Sequence, residues 1–317
     1  MREGGDGVDL YLTQWRFDRE EEWVESYFLK GVSKEKPLQA IWLRFTFFLS
    51  KERRSAQLWF IFFEEGKTPL YLKENFDIEI VVPAFKEFRL IYPIAFLKKG
   101  ETKGEIKKDG KKVKWELNFT TNSTLEKLLP SDLFYKLPFP VTKLVTLFPD
   151  ELLSGSIIID HRKVEVDSWK VALGHNWGKR HTWRYCWFHC NSFSEGGVEF
   201  IEGAVAKNKI KFIETPLLSI FKLKYKGKVY NFNGVKDWLS TKDFLLKDRV
   251  YLKGRFGEIK LFFNKENFIT LDYENPDHSI LKCYNSMFSK IEGKLFLDKE
   301  EINLFSDRAC IEFGITE

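Results

Sequence analysis

The sequence predicts an all-β protein of antiparallel barrels or sandwiches with few short helices. Apolar and polar side chains alternate along many short segments, most clearly over residues 113–120 and 221–226, as is typical of strands with one buried and one wet face. Turn-forming residues recur at short spacing, among them Gly66, Gly110 and Gly254. The crossover helices that a parallel α/β sheet needs are missing, which favours antiparallel pairing.

Less regular alternation predicts further strands along the chain. In order, these are residues 41–49, 57–63, 77–82, 88–92, 156–159, 164–169, 198–201, 250–253 and 259–263. Two short segments are helical candidates, residues 125–129 and 235–239. Three prolines predict a long connection over residues 137–149. No repeat of 20–50 residues is visible, which argues against propellers and solenoids.

Composition and charge narrow the class of protein. Of the 317 residues 16% are aromatic, which excludes a disordered or collagen-like chain, and the length favours two domains. The net charge of +5 is too diffuse for a nucleic-acid footprint, so no nucleic-acid partner is predicted. Five lysines around Gly110 predict a solvated hairpin tip, with nucleic-acid or anionic-lipid contact as a lesser alternative: Lys107, Lys108, Lys111, Lys112 and Lys114.

The sequence predicts a cytoplasmic protein without a transmembrane segment. The first ten residues lack the apolar stretch of a secretory signal, and the apolar run 58–63 is far short of the roughly 18 residues that span a bilayer. Four scattered cysteines are expected to stay reduced. No Gly-rich phosphate loop and no Gly-x-Ser-x-Gly elbow is found, and no cofactor is predicted.

The most specific stretch is residues 173–193. After the run 173–181, a strand-like segment rich in large polar aromatics follows. With a period of two, one face carries Trp183, Tyr185, Trp187, His189 and Asn191, and the other carries Arg184, Cys186, Phe188 and Cys190. The first face is typical of a cavity wall for a hydrophobic small molecule, because indoles and phenols supply apolar area while His and Asn fix orientation. The alternative is an ordinary core-facing strand.

The histidines and cysteines of this stretch raise the question of a metal. On one strand Cys186 and Cys190 would lie about 13 Å apart, too far to share an ion, and His189 would point to the opposite face. No metal site is predicted.

The run Asn176-Trp177-Gly178, followed by Trp183, Trp187 and His189-Cys190-Asn191, resembles the tocopherol cyclase motif. The upstream segment 153–173 resembles the last hairpin of the first domain in carotenoid 1,2-hydratases and AttH-like proteins. The resemblance implies two tandem lipocalin-like (calycin) barrels, with a first domain over residues 1–180 and a second over residues 181–317. It also implies an isoprenoid or fatty ligand near the junction.

The aromatic face of residues 183–191 and the motif of the resemblance together indicate which residues touch that ligand. Binding residues would be Asn176, Trp177, Trp183, Tyr185, Trp187, His189 and Asn191, with His175 as the catalytic candidate and cyclisation or hydration of a prenyl double bond as the activity. Gly174 stands where the hydratases have an Asp that protonates the alkene, and His189 replaces the Gln of the cyclases. Three functions therefore stay open: an enzyme, a non-catalytic lipid carrier or chaperone-like binding protein, and an interaction module using the basic hairpins, with peripheral membrane contact as a variant.

Two further expectations concern acids and the junction. An alkene-protonating carboxyl such as Asp167, Glu199 or Glu202 would need apolar surroundings, and the glutamates are expected to be solvated. Gly174 and Gly178 predict a sharp turn that brings His175 to the domain interface, either bonded to a backbone carbonyl as a latch or facing the ligand. The sequence does not give the ligand or the oligomeric state.

Overall fold

The computed structural model describes residues 22–83, 88–194, 197–210, 213–234, 236–237, 242–245 and 248–316. These residues form two curled antiparallel sheets, each a half-barrel, with only short helical segments. The predicted fold class, two all-β lipocalin-like domains, is confirmed. No helix among the described residues is long and apolar enough to cross a membrane.

The first sheet holds twelve strands from the described part of residues 23–178. Its order is β4-β3-β2-β1-β12-β11-β9-β8-β7-β6-β5, and β10 pairs with β11. The strands are β1 Trp23–Val32, β2 Gln39–Leu49, β3 Arg54–Glu64, β4 Leu70–Asp77, β5 Val82–Pro83, β6 Arg89–Tyr92, β7 Ala95–Lys98, β8 Glu101–Lys108, β9 Lys111–Phe119, β10 Glu126–Lys127, β11 Thr142–Ile159 and β12 Arg162–Gly178. A short α-helix, α1, spans Asp132–Lys136.

The second sheet has ten strands, ordered β18-β17-β14-β13-β24-β23-β21-β20-β19, with β22 paired to β23. A separate two-stranded ribbon joins β15 and β16. The strands are β13 Arg184–Cys190, β14 Val198–Lys207, β15 Lys209–Ile210, β16 Ile213–Glu214, β17 Leu218–Tyr225, β18 Lys228–Phe232, β19 Lys242–Leu245, β20 Arg249–Gly254, β21 Gly257–Phe262, β22 Ile269–Glu274, β23 Ile280–Leu297 and β24 Glu300–Thr316.

Strands β1 to β3 are buried on both faces, which explains their nearly continuous apolar sequence. One face lines the concave core of the first sheet, with Phe45 and Phe60. The other face, with Trp42 and Ile61, packs against side chains of the second sheet such as Trp187. The second sheet has its own concave core. The two half-barrels thus meet through their outer faces.

The basic hairpin tip has the predicted form. Strands β8 and β9 are joined by Asp109 and Gly110, whose φ angles of 50° and 73° are those of a tight hairpin turn. Lys111 pairs with Asp160, and Lys112 pairs with Glu105.

Several local predictions are wrong. Residues 78–80 form a turn of 3₁₀ helix instead of a strand. Segment 125–129 is not helical, because Glu126 and Lys127 pair with β11, and the helix begins only at Asp132. The predicted long connection over residues 137–149 is shorter in the structure and covers only residues 137–141. Strand β11 begins at Thr142 and continues through Pro149, where the strand has a bulge. Most of the candidate helix 235–239 lies outside the described residues.

Candidate ligand cleft between the two sheets

The predicted turn at the glycines is wrong. Gly174 and Gly178 both lie inside β12, paired with Phe28 and Val24 of β1, and neither has a positive φ. The chain leaves the first sheet after Gly178 and enters the second at Arg184, so residues 179–183 make the crossing.

A cleft between the outer faces of the two sheets has three adjoining compartments. The central compartment, about 150 Å³, is walled by Phe28, Trp42, Tyr185, Trp187, Ala204 and Glu312. The polar arm, about 140 Å³, shares Arg44, Asn176 and His181 with it and adds Gln57, Trp59 and Lys73. The apolar arm, about 100 Å³, shares Leu129, Pro140, Ala204 and Ile220 with the central compartment and adds Phe134 and Phe139.

The predicted alternation along β13 is present. Cys186, Phe188 and Cys190 point into the concave core of the second sheet, while Tyr185 and Trp187 point towards the first sheet. The Phe28 ring meets the Trp187 ring edge-on at 5.4 Å between centroids. Three of the predicted ligand residues therefore line the cleft: Asn176, Tyr185 and Trp187.

Trp183 and Trp177 lie elsewhere. Trp183 precedes β13 and is half-buried, with the Lys209 ammonium 5.8 Å from its ring centroid. Trp177 packs in the core of the first sheet, its ring 6.0 Å from that of Tyr135.

His189 and Asn191 join the two sheets. His189 Nε2 lies 3.0 Å from the Pro149 carbonyl oxygen at the bulge of β11, and Asn191 Nδ2 donates to that oxygen and to the Val171 carbonyl. Burial, together with the nearby Lys30 charge, lowers the pKa of His189 well below its usual range. These two side chains form the kind of latch to backbone carbonyls that was one alternative for His175.

His175 points into the core of the first sheet. Its Nε2 lies 2.8 Å from Glu25 Oε1, and both side chains are fully buried. Tyr27 stacks on the imidazole at 3.9 Å, and the Trp23 indole donates to the other oxygen of Glu25. The partner of Nε2 is thus a carboxylate, and His175 is not among the residues that line the cleft.

Of the candidate acids, Glu202 departs from expectation. Its side chain is buried between the sheets, where it accepts hydrogen bonds from the Thr146 hydroxyl and, at 3.1 Å, from the Trp187 indole. Burial raises its pKa, and these hydrogen bonds oppose the shift. The expectation that Glu202 is solvated is wrong, because the face of β14 that carries Glu202 packs against β11 of the first sheet. Glu199 is half-exposed and paired with Lys224, and Asp167 is exposed.

Two charged groups in the wall of the cleft, Arg44 and Glu312, were not predicted. Tyr185 donates to Glu312, which also accepts from Tyr273 and Asn285. Burial, then the Arg44 charge, lowers the pKa of His181 to about 3, so its imidazole is neutral at physiological pH. One sequence signal could have found these groups, namely single charged residues inside apolar strands, Arg44 in 41–47 and Glu312 in 309–313.

No three His, Cys, Asp or Glu side chains of the described ranges are grouped closely enough to hold a metal ion. All four cysteines are buried and unbridged.

Solved structures with the same fold connect this geometry to known proteins. The AttH-type protein NE1406 of Nitrosomonas europaea superposes over 94% of this chain and 93% of its own, with a TM-score of 0.58 and 9% identity. The chain has the AttH-like fold. CghA in complex with Sch210972 covers 93% of this chain and 89% of its own, at a TM-score of 0.54 and 9% identity. Kievitone hydratase from Nectria haematococca covers 91% of this chain and 88% of its own, with a TM-score of 0.52 and 10% identity.

The suspected resemblance to AttH-like and hydratase proteins is therefore supported at the level of the fold. No protein-family model matches the sequence, and no curated protein is significantly similar to it.

Proposed function

We propose that this AttH-like protein binds a lipophilic small molecule, of the isoprenoid or fatty class, in the cleft between its two sheets. The observation that carries the proposal is the continuity of the three compartments. The central compartment shares Ala204 and Ile220 with the apolar arm, and Arg44 and Asn176 with the polar arm. A cavity near 150 Å³ holds about one benzene-sized group, so a chain of linked groups suits three adjoining compartments.

Retinol tests this proposal, because its polyene quenches tryptophan emission and Trp42, Trp59 and Trp187 all border the cleft. We expect saturable quenching in the wild type. Ala204→Phe places a ring where the central compartment meets the apolar arm and should weaken binding by about tenfold or more. Trp183→Phe, outside the cleft, is the control and should bind as the wild type does. Absence of saturable quenching by retinol in the wild type would overturn the proposal.

Acid–base chemistry on the bound ligand, such as hydration or cyclisation of a prenyl double bond, is a second candidate function. The Tyr185–Glu312 hydrogen bond at the cleft wall favours it, because a phenol and a carboxylate can pass one proton between them. The aromatic rings of Trp42, Trp187 and Phe28 suit a carbocation. Kievitone hydratase, of the same fold, is a hydratase by its name.

Deuterated water separates this activity from non-catalytic carriage. Hydration of a prenylated phenol adds deuterium to one alkene carbon and a deuteroxyl group to the other. Cyclisation instead adds one deuterium to carbon while the phenol oxygen bonds to the other carbon and loses its proton. We expect Tyr185→Phe to abolish either mass shift while retinol binding persists. If the wild type leaves the phenol unchanged, the carrier alternative holds.

We also infer that the domain boundary lies near residue 180. The first sheet ends at Gly178 and the second begins at Arg184, which supports this division. Backbone groups of the crossing are held by Asn275, which accepts from the His181 amide at 2.7 Å, and by Thr142, which donates to the Arg180 carbonyl. Trypsin should therefore cleave after Lys179 or Arg180 faster in Asn275→Ala than in the wild type, and release two β-rich fragments.

The interaction-module alternative has less support, because three of the five lysines at the basic hairpin tip, Lys111, Lys112 and Lys114, already have acidic partners. Peripheral membrane contact has one supporting feature: Leu133, Leu137 and Phe139 are exposed beside the apolar arm. The cytoplasmic location stays a prediction.

A further inference from the structure

The wall of the polar arm carries two cations, Arg44 and Lys73. The Arg44 guanidinium lies 5.5 Å from the centroid of the Trp59 ring, and the Lys73 ammonium lies 4.2 Å from it. In the described part of the chain, neither cation forms an ion pair with a carboxylate. Three acidic side chains lie in the arm's wall, and each has another partner: Asp272 pairs with Lys282, Glu274 with Arg53 and Glu25 with His175.

The two cations also act on each other. Burial, followed by the charge of Arg44, lowers the pKa of Lys73 to about 8. Placing like charges together in a half-buried site is unfavourable unless an anion offsets them. The charges of Glu312 and Glu274 act on Arg44 and Lys73 respectively, but neither carboxylate pairs with these cations, so an anion bound between Arg44 and Lys73 would offset their repulsion.

Two buried hydrogen-bond donors in the central compartment, which adjoins this arm, have no partner in the described part of the chain. Arg44 is 4% exposed and Trp42 is 2% exposed, yet Arg44 Nη1 and Trp42 Nε1 lack an acceptor in the described structure. Both side chains line the central compartment, and they stand two residues apart on the same face of β2, about 7 Å along the strand. A buried donor left unpaired is costly, so these two atoms call for acceptor oxygens on a bound molecule.

The position of Glu312 decides which end of the cleft suits an anion. Glu312 lines the central compartment and not the polar arm. Its carboxylate accepts from Tyr185, Tyr273 and Asn285, and its charge disfavours an anion beside it. The carboxylates in the wall of the polar arm are paired with other basic side chains, so an anionic group is best placed on the Lys73 side of Arg44.

We infer that the ligand is an amphiphile with a carboxylate head, which binds Arg44 Nη1 and the Lys73 ammonium, while its apolar chain runs past Trp187 into the apolar arm. This inference rests on the proposed binding function. Arginine suits the role because its fixed fork of donors matches the two oxygens of a carboxylate. The Trp42 indole N–H donates to an oxygen of the head or of the adjacent chain.

Retinoic acid and retinol form a matched pair of probes, because they share one polyene chain and differ in the head group. In the quenching titration, we expect the wild type to bind retinoic acid about tenfold or more tighter than retinol, as a charge-assisted hydrogen bond contributes that order of affinity. Arg44→Gln should remove this preference, and Lys73→Gln should reduce it several-fold. Lys163→Gln, which removes an exposed charge that does not line the cleft, should keep the preference.

Equal affinity of the wild type for the two retinoids would overturn the carboxylate site and leave the cleft as a binding site. Binding of neither retinoid would overturn the proposed function itself. If Arg44→Gln fails to fold, as judged by circular dichroism, the same titration is made with Lys73→Gln, because Lys73 is only half-buried and its replacement should be tolerated. An unchanged acid-to-alcohol ratio in Lys73→Gln would then count against the inference.

Discussion

The ring of Phe28 lies directly over Gly174, its partner on the neighbouring strand. A Cβ at position 174 would stand 2.3 Å from Cζ of Phe28, far inside van der Waals contact. In the hydratases that this sequence resembles, an Asp occupies the position of Gly174. Here an aromatic ring fills the space that such a side chain would need, and the same ring forms part of the cleft wall.

The first prediction concerns this pair. Gly174→Ala should lower the free energy of unfolding by about 2 kcal/mol, because the added methyl group overlaps a packed ring. In the Phe28→Ala background the same change should cost at least about 1 kcal/mol less, as expected for residues in direct contact. Urea unfolding of the four proteins in this cycle provides the measurement. Additive effects would show that the ring does not exclude a side chain at 174.

The second prediction separates structure from ligand binding at His175. His175→Ala removes the imidazole that lies 2.8 Å from the buried Glu25 carboxylate and should destabilise the fold by about 3 kcal/mol. Retinol affinity should change little, because the imidazole faces the core of the first sheet. Thermal unfolding and the quenching titration on one preparation measure both effects. A large loss of affinity with an unchanged melting temperature would return His175 to the ligand site.

The third prediction concerns acid sensitivity. The folded protein keeps His189 neutral because burial lowers its pKa, whereas the unfolded chain binds a proton near the ordinary value of 6.5. The unfolded state thus holds more protons below pH 6.5, and stability falls as the pH decreases from there. His181 acts in the same direction down to its pKa of about 3.

Each of these histidines can contribute up to about 1.4 kcal/mol per pH unit in that range. Urea midpoints at pH 7, 6 and 5 should therefore decline less steeply in His189→Gln than in the wild type, since all other titrating groups are common to both. Parallel declines would contradict the assignment of a buried neutral His189.

The fourth prediction addresses the contact between the sheets at Glu202. Thr146 of the first sheet and Trp187 of the second both donate to this carboxylate. Glu202→Ala should cost about 2–3 kcal/mol, because it leaves two buried donors unpaired. Glu202→Gln keeps an acceptor oxygen and should cost less. If the two variants unfold at the same urea concentration, these hydrogen bonds do not stabilise the contact.

Much of the fold could be predicted because the pattern is local. Alternation with a period of two identified most strands, and it separated Cys186, Phe188 and Cys190 from Tyr185 and Trp187. It failed at residues 125–129, where a segment with apolar spacing typical of a helix pairs with β11 instead. Pairing with a strand twenty residues away is a tertiary contact, and no local spacing reports it.

The candidate site was predicted only in part, for a similar reason. Asn176, Tyr185 and Trp187 line the cleft as expected, but Trp177 and His175 turn into the first core, while His189 and Asn191 bond to the bulge of β11. Arg44 lies more than a hundred residues before the motif at residues 176–191, and nothing in that motif indicates that Arg44 contributes to the cleft.

The sequence by itself determined that the chain is all-β, and which side chains of a strand share a face, because neighbouring side chains on a strand point to opposite sides. Only the tertiary structure decided what each face meets. The packing of two half-barrels by their outer faces brings Arg44 and Trp42 of β2 opposite Tyr185, Trp187 and Glu312 of the second sheet. That juxtaposition depends on how two separate cores dock, and no periodicity within a single strand encodes the surface that will cover it.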